Sequence, residues 1–480
     1  MKKIVEDRGY FWWREQPVPD DCYAPDDCVT GVFSIDENGS AHLELDAYMP
    51  NNGSRTPAVL SGQQDARSIQ GILKEGNRRV LLLDAVSNGG TFNTGGISYD
   101  RFSATNCLVG SAEFPRRKRS LQFNSLAVDL IGYEEWLRLG SIYISRTKSK
   151  IVAKHSKPKD HSYRLSDATL AVRHFISGPY LGKHRRHDLS LRESVTLKFR
   201  PKQSMSLEQV RSELHYLQDL FVLLTDTHHL LDWPTVSLSG SKEQYTLYFL
   251  RGAHSSEPPS WQDCPTNFVL LRATFGEIFA TWRAKRERFG AGFYSYLGTR
   301  RGMALYAENR FANLVWGLEA FHRTKQSDAK TSATSAGQPT VAKAEQRTNI
   351  PLPEVKRKPR NGEPSLRQRL HAIFHDLPLD FRDNSVDNFS KECADRRNDI
   401  FHFGGERKQD GRMDFILELD RKSDALTYLY HLVILREIGV DDDTIRRWVR
   451  SSFRLRHALA NVGLLRKDVL GPSASNIVDA

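Results

Sequence analysis

The sequence predicts an α+β protein in which a β-rich first half is followed by an all-α helical bundle. In the first half, short stretches alternate apolar and polar residues or form brief apolar runs, and glycines separate them, which is typical of strands joined by tight loops. In the last third, large apolar residues recur every three or four positions, which indicates amphipathic helices. A chain of 480 residues is long enough for two or three domains.

The strand signals are clearest near the N-terminus. Val29–Ile35 and His42–Ala47 alternate apolar and polar side chains on either side of Asn38-Gly39, a dipeptide that favours the turn of a β-hairpin. Val80–Val86 is an apolar run interrupted by Asp84 alone, which suits a buried strand. Further strand candidates are Ser141–Ser145, Val195–Phe199 and Tyr245–Leu250.

Two features of the first half each allow two interpretations. Residues 9–23 are rich in aromatic side chains, which either pack as an N-terminal arm on the sheet or stack on bases. Three basic clusters either follow a phosphate backbone or form a solvated charged face. These clusters are Arg116–Arg119, Lys148–Lys159 and Lys183–His187.

Helices are predicted from residue 206 onward. Two of them, over residues 206–226 and 268–289, are expected to connect the β-rich half to the bundle. The first bundle helix carries an apolar stripe that begins at Phe311, and the stretch after it, residues 324–364, is nearly free of large apolar side chains. Such a composition predicts a flexible insertion.

Three more bundle helices follow the insertion. Ser365 and Gln368 have the spacing of a capping box and predict the start of the second helix. The third helix has Val386, Phe389 and Cys393 on its packing stripe and ends near His402. A fourth is expected over residues 424–438, a basic helix over residues 442–453, and a disordered tail after residue 470.

Arg397, Asn398 and His402 lie together on the third helix, just before Gly404-Gly405, a pair that favours a helix end. A histidine can take a proton from a ribose 2′-hydroxyl or return one to the leaving oxygen, because its pKa lies near neutrality. An arginine binds phosphate and stabilises charge on its oxygens, and a neutral amide can orient either partner. These groups can cut RNA without a metal, although the spacing alone also fits a solvated arginine and a helix-capping histidine.

The spacing also constrains the geometry. Asn398 and His402 are one turn apart and share a face of the helix. Arg397 and His402 are five residues apart, so on an ideal helix their directions differ by about 140°. Either the helix distorts near its end, or a second copy of the site contributes across a symmetric interface.

Two charged neighbours have less certain roles. Arg396 is interpreted as a surface or substrate-binding residue, and it can also pair with Glu392 one turn earlier. Glu319, on the first bundle helix, is interpreted as structural rather than catalytic.

The helix from Phe389 to His402 resembles the third helix of HEPN domains, whose signature is R-x4–6-H with a polar residue after the arginine. Arg397, Asn398 and His402 match that signature position by position. Residues 311–322 are similar to the first HEPN helix. Residues 29–35, before the Asn-Gly turn, resemble the start of the β-rich region in ApeA-type anti-phage defence proteins.

This resemblance implies a domain order for the chain. It gives a β-rich sensor or regulatory domain over residues 1–265 and a helical connector over 266–300. A HEPN nuclease domain follows over 301–460 and contains the insertion at 324–364. A tail covers residues 461–480.

The resemblance further implies a metal-independent endoribonuclease in antiviral, abortive-infection defence. The 2′-hydroxyl would attack the adjacent phosphate, with His402 as general base or acid, Arg397 on the phosphate and Asn398 positioning either one. The implied partners are RNA, such as tRNA or mRNA, a phage trigger of unknown identity, and further copies of the chain in a homodimer or larger homo-oligomer formed through the HEPN domain. The alternative is a catalytically silent HEPN module that binds RNA or protein.

Composition fits these expectations. A net charge of +11 favours a polyanionic partner. The five cysteines are odd in number and form no C-x-x-C pair, which indicates a reducing cytoplasm, and no Cys/His spacing fits a zinc site. We therefore expect no metal and no cofactor. The N-terminus lacks the apolar core of a signal peptide and no apolar run reaches membrane-spanning length, so we expect a cytoplasmic protein without membrane partners.

Overall fold

The structure is a computed structural model that describes ten ranges of the chain. They are residues 2–20, 22–50, 67–91, 98–115, 121–177, 191–252, 255–301, 305–335, 363–403 and 411–465. For residues 330–335 and 402–403 the description covers the backbone alone. The chain divides into two compact units: Met1–Glu134, Leu139–Gln218 and His229–Ser256 form the first, and Glu135–Arg138, Asp219–His228 and Glu257–Ala480 form the second.

The first unit is rich in strands and the second is helical, which confirms the predicted fold class. Thirteen of the strands in the described ranges form one antiparallel sheet, and β9 and β10 pair separately as a hairpin. In chain order the strands are β1 (Lys3–Trp13), β2 (Val29–Asp36), β3 (Ala41–Leu45), β4 (Arg67–Leu73), β5 (Arg79–Thr91), β6 (Tyr99–Ala104), β7 (Asn106–Gly110), β8 (Phe123–Asp129), β9 (Ile142–Arg146), β10 (Ile151–His155), β11 (His161–Arg164), β12 (Ala168–Ser177), β13 (Arg192–Pro201), β14 (Thr235–Leu238) and β15 (Gln244–Phe249).

Six of these strands close into a ring. Strand β5 pairs with both β4 and β6, and the order β4-β1-β2-β3-β6 completes the circle. The interior is apolar because inward-facing residues alternate along each strand, among them Phe11, Phe33, Leu43 and Leu82. The N-terminal aromatic residues up to Trp13 are therefore part of the barrel strand β1 and do not form an arm laid on the sheet. Tyr23 lies outside this strand and is exposed.

The predicted β2–β3 hairpin is confirmed, with Ile35 opposite Ala41. Gly39 in its turn has a φ of +86°, which glycine adopts without strain. A Cβ at this position would also lie 2.3 Å from the backbone oxygen of Phe249 in β15. Both the turn conformation and the close approach therefore require glycine.

The remaining strands extend from the ring as an open sheet. The first part of β5 pairs with β7, and the order β7-β15-β14-β8-β13-β12-β11 follows. The predicted strands at Val80–Val86, Ser141–Ser145, Val195–Phe199 and Tyr245–Leu250 fall on β5, β9, β13 and β15.

Eleven α-helices lie in the described ranges. They are α1 (Glu134–Leu137), α2 (Leu207–Thr225), α3 (Phe268–Leu271), α4 (Phe275–Arg288), α5 (Gly290–Arg300), α6 (Ala307–Ser335), α7 (Leu366–His375), α8 (Ser385–Phe403), α9 (Arg412–Glu437), α10 (Asp442–Ser451) and α11 (Phe453–Asn461). No helix in these ranges is long and apolar enough to cross a membrane.

The bundle helices differ from their predicted bounds in two places. Helix α6 continues to Ser335, so residues 324–335 of the expected insertion are helical, while residues 336–362 lie outside the described ranges. Helix α9 begins at Arg412, well before the expected start at Asp424. The Ser365 capping box is confirmed, since its side chain accepts from the Gln368 N–H and its backbone N–H donates to Gln368.

Several predictions concern residues that the structure does not describe. The basic clusters Arg116–Arg119 and Lys183–His187 and the tail after residue 470 lie outside the described ranges. Lys148–Lys159 begins in the turn between β9 and β10, contains all of β10 and continues beyond it. The domain boundaries at residues 265, 300 and 460 stay predictions.

Candidate active site

Helix α8 carries the Arg397, Asn398 and His402 motif. Its packing side buries Phe389 and Cys393, and the Phe389 ring lies 6.1 Å from the ring of Phe374 in α7. These apolar contacts fix which side of α8 faces the bundle. Arg397 is partly exposed and Asn398 is exposed, so both lie away from the most deeply buried stripe.

Arg397 has a charged neighbour but is not hydrogen-bonded to it. Its Nη2 lies 4.0 Å from Oε2 of Glu319 in α6, and its guanidinium carbon lies 4.8 Å from the ring centre of Phe401. Glu319 instead accepts a 2.6 Å hydrogen bond from Arg323. Arg397 donates no hydrogen bond to any residue that the structure describes, so its N–H groups are available to an anion.

The side chain of Asn398 is likewise available to bind a ligand. Its side chain is exposed and makes no hydrogen bond within the described ranges. His402 belongs to the last turn of α8 as far as the helix is described, and its side chain lies outside the description, as do Gly404 and Gly405. Because α8 is helical through Phe403, Asn398 and His402 are one turn apart, and Arg397 and His402 still diverge by about 140° on an ideal helix.

Arg396 differs sharply from its neighbour Arg397. It makes a two-pronged ion pair with Glu418 of α9, with Nε 3.0 Å from Oε1 and Nη2 2.6 Å from Oε2. Its Nη1 also lies 3.3 Å from the buried carboxylate of Asp399. The partners of Arg396 in the structure are therefore Glu418 and Asp399, whereas the sequence suggested Glu392.

Glu392 contributes to the same network through Lys422 of α9. The Lys422 ammonium lies 2.7 Å from Glu392 and 3.0 Å from Glu418. Burial opposes the charge on Glu418, but hydrogen bonds from Arg396 and Lys422 outweigh it, and the pKa of this carboxyl is lowered below its ordinary value. The charged groups thus join α8 to α9 directly beside the motif.

One hint of this network is visible in the sequence. Glu418 and Lys422 have the i,i+4 spacing of a helical ion pair. That spacing does not reveal that the pair faces α8, because the contact with Arg396 spans 22 residues of sequence. Glu418 and Lys422 are therefore site residues that the sequence did not identify.

The arrangement suits phosphate chemistry. Arg397 and Asn398, whose side chains make no hydrogen bond to a described residue, lie on the helix that also carries His402, and a charged network joins that helix to α9. In the described ranges, no group of three or more His, Cys, Asp or Glu residues is arranged to hold a metal ion. The substrate-binding role of Arg396 stays a prediction.

Two family models match the chain. One, described as ApeA N-terminal domain 1, matches residues 6–282, and the other, described as Apea-like HEPN, matches residues 312–444. The second match contains Arg397, Asn398 and His402 and most of α6 and α9. No curated protein and no solved structure matches the chain.

Proposed function

The chain belongs to the ApeA family of HEPN proteins, and from this premise we propose that it is a metal-independent endoribonuclease that acts in antiviral, abortive-infection defence. The β-rich unit would sense a phage trigger or hold the nuclease inactive. The helical unit would cut RNA, with tRNA and mRNA as candidate substrates. We place the protein in the cytoplasm, where both are found.

The observation that carries this proposal is the contrast between two consecutive arginines. Arg396 is held by Glu418 and Asp399, whereas Arg397 is hydrogen-bonded to no described residue. A purely structural surface helix has no need to leave a partly buried guanidinium without a hydrogen bond beside an exposed amide. Both groups are therefore suited to bind a substrate phosphate.

The proposed reaction needs two proton transfers. One base removes the proton from a ribose 2′-hydroxyl, and the 2′-oxygen attacks the adjacent phosphorus while the bond to the 5′-oxygen breaks. An acid protonates that leaving oxygen, and the products are a 2′,3′-cyclic phosphate and a 5′-hydroxyl. His402 acts as base or acid, Arg397 stabilises the charge on the phosphate oxygens, and Asn398 positions the phosphate or His402.

A second protomer would complete the site. Since Arg397 and His402 diverge by about 140° along a regular helix, one copy of α8 does not direct both at one phosphate. Two copies of α8 at a twofold axis would surround one phosphate with both kinds of side chain. We therefore propose a homodimer, or a larger assembly of such dimers, formed through the HEPN domain.

The test is to incubate the purified full-length protein with total RNA in the presence of EDTA. We expect cleavage that leaves 2′,3′-cyclic phosphate ends, and no cleavage by His402→Ala. Activity that disappears in EDTA and returns with Mg²⁺ or Mn²⁺ would contradict the metal-independent mechanism. Binding of RNA without cleavage under every condition would favour the catalytically silent HEPN module.

A further inference from the structure

A cavity of about 360 Å³ lies in the helical unit at the start of α6, between α9 and α11. Its lining includes Arg300, Arg310, Arg421, Arg454, Asp424 and the aromatic residue Phe453. We call this the basic groove. It shares no residue with the motif on α8.

The charges of the basic groove are only partly compensated. Arg300 is paired with Asp226, which lies outside the lining, and Arg310 lies 2.8 Å from Asp424. Arg421 and Arg454 make no ion pair or hydrogen bond with any described residue, and both are exposed. The basic groove therefore presents two exposed arginines to an anion, and the mostly buried Asp226 carboxylate also attracts the charge of Arg454.

Tyr428 adds no opposing charge. Burial raises the pKa of this phenol to about 12, so its hydroxyl stays neutral under physiological conditions. Asp424, the acidic residue of the lining, is already paired with Arg310. An anion in the basic groove would thus meet arginine side chains and a neutral hydroxyl.

An aromatic surface lies beside these arginines. Phe453 in the first turn of α11 is 59% exposed, although it is a large apolar side chain. Its ring stacks on His457, with centroids 5.7 Å apart and an angle of 27° between the planes. More than half of the Phe453 surface is thus accessible to a planar group, and a nucleobase is the planar group that accompanies a phosphate in RNA.

We propose that the basic groove binds a single-stranded segment of RNA, with Arg421 and Arg454 on its phosphates and Phe453 stacked on a base. Guanidinium groups match the geometry of phosphate oxygens, and the aromatic ring distinguishes a nucleotide from a simple anion or an acidic peptide. The inference rests on the proposed function, because it adds an anchoring site to an enzyme that cuts RNA.

The groove is connected to the motif through shared helices. Arg310 and Glu319 are both on α6, nine residues and thus about 13.5 Å apart along its axis. Arg421 directly precedes Lys422, which belongs to the charged network around α8. The basic groove therefore lies along the same two helices, α6 and α9, that carry Glu319 and Lys422 beside the motif.

The experiment uses the full-length protein with His402→Ala, so that binding is measured without cleavage. A labelled single-stranded RNA is titrated at several salt concentrations and followed by fluorescence anisotropy. Adding Arg421→Gln with Arg454→Gln should raise Kd at least tenfold. It should also reduce the slope of log Kd against log salt concentration by about 1.4, as expected for two lost phosphate contacts with a single strand.

Two further variants sharpen the result. Phe453→Ala should raise Kd about tenfold without changing the salt slope, since stacking carries no charge. The matched control removes two positive charges elsewhere in the helical unit, through Arg288→Gln and Arg446→Gln, and should change Kd far less. Both control arginines are exposed and paired, with Asp328 and Asp443.

Three outcomes would overturn the inference. They are binding by the groove variant that equals binding by the control, absence of RNA binding by the His402→Ala protein, and displacement of the RNA by low concentrations of AMP or inorganic phosphate. The last result would assign the groove to a free nucleotide or phosphate. RNA binding through the groove by a protein that never cleaves RNA would instead refute the proposed function and leave the groove assignment intact.

Discussion

Arg397 and Glu319 lie 4.0 Å apart, close enough for their charges to attract but too far for a hydrogen bond. Glu319 is mostly buried and is hydrogen-bonded to Arg323. This relationship orients the Arg397 guanidinium without occupying its N–H groups. We propose that Glu319 positions Arg397, and the structural role expected for Glu319 from the sequence stays a prediction.

Arg397→Ala should reduce the RNA cleavage rate by a factor of about 10²–10³, the usual cost of removing one group that stabilises transition-state charge. Arg397→Lys should recover little, because an ammonium lacks the planar fork that binds two phosphate oxygens. Arg446→Ala is the control, since it removes an exposed arginine of the helical unit that pairs with Asp443. If Arg397→Ala folds normally and cleaves RNA at a near wild-type rate, the role proposed for Arg397 is wrong.

His402→Ala should abolish cleavage and any cellular toxicity while the thermal unfolding midpoint stays close to that of the wild type. The physical reason is the loss of the proton-transfer group. A control at His371 on α7, through His371→Ala, should retain activity, because that side chain lies outside the motif. If the His402→Ala variant cleaves RNA at the wild-type rate, another residue must act as the acid or base.

Glu418→Gln should destabilise the helical unit by about 1–2 kcal/mol near pH 7, since it weakens a partly exposed network of charged hydrogen bonds. The pKa of Glu418 is lowered in the folded protein, so its contribution is present above the unfolded-state pKa and is lost as the pH falls through the folded-state pKa. The gap between variant and wild type should therefore shrink from pH 7 to pH 4.

Scanning calorimetry at both pH values measures that gap. Asp443→Asn serves as the control, because Asp443 forms an exposed pair with Arg446 and should show little effect at either pH. A gap that widens on acidification would mean that Glu418 is not stabilised as a carboxylate.

Mixing Arg397→Ala protein with His402→Ala protein tests the shared site. If each site takes arginine from one protomer and histidine from its partner, every mixed dimer regains one intact site. Random exchange should then restore about a quarter of wild-type activity. A fully active monomer, detected by light scattering at assay concentration, would exclude the dimeric site.

The structural features that depend on residues close together in the chain were predicted from the sequence. Asn38-Gly39 indicated the β2–β3 turn, Ser365 and Gln368 indicated the start of α7, and the motif was placed on a helix that the structure confirms. Closure of the ring was not predictable, because it depends on β5 pairing with β6 as well as β4. Strand alternation shows which side chains face inward, but it does not identify the neighbouring strand.

The candidate site shows the same difference between features set by sequence neighbours and features set by tertiary contacts. The spacing along α8 together with the resemblance to HEPN domains predicted Arg397, Asn398 and His402 as site residues, whereas the difference between Arg396 and Arg397 depends on partners from other helices. Two adjacent arginines look alike in sequence. Glu418 pairs with Arg396, and only tertiary packing determines that choice.

Strand β5 is common to the ring and to the open sheet, and this has a consequence for folding. Its first residues pair with β4 and β7, and its later residues pair with β6. Removing β5 would open the ring and detach the open sheet at the same time, so the two parts depend on one shared strand. The β-rich unit should therefore unfold cooperatively, and its slow step should be the assembly of pairings between strands that are distant in sequence.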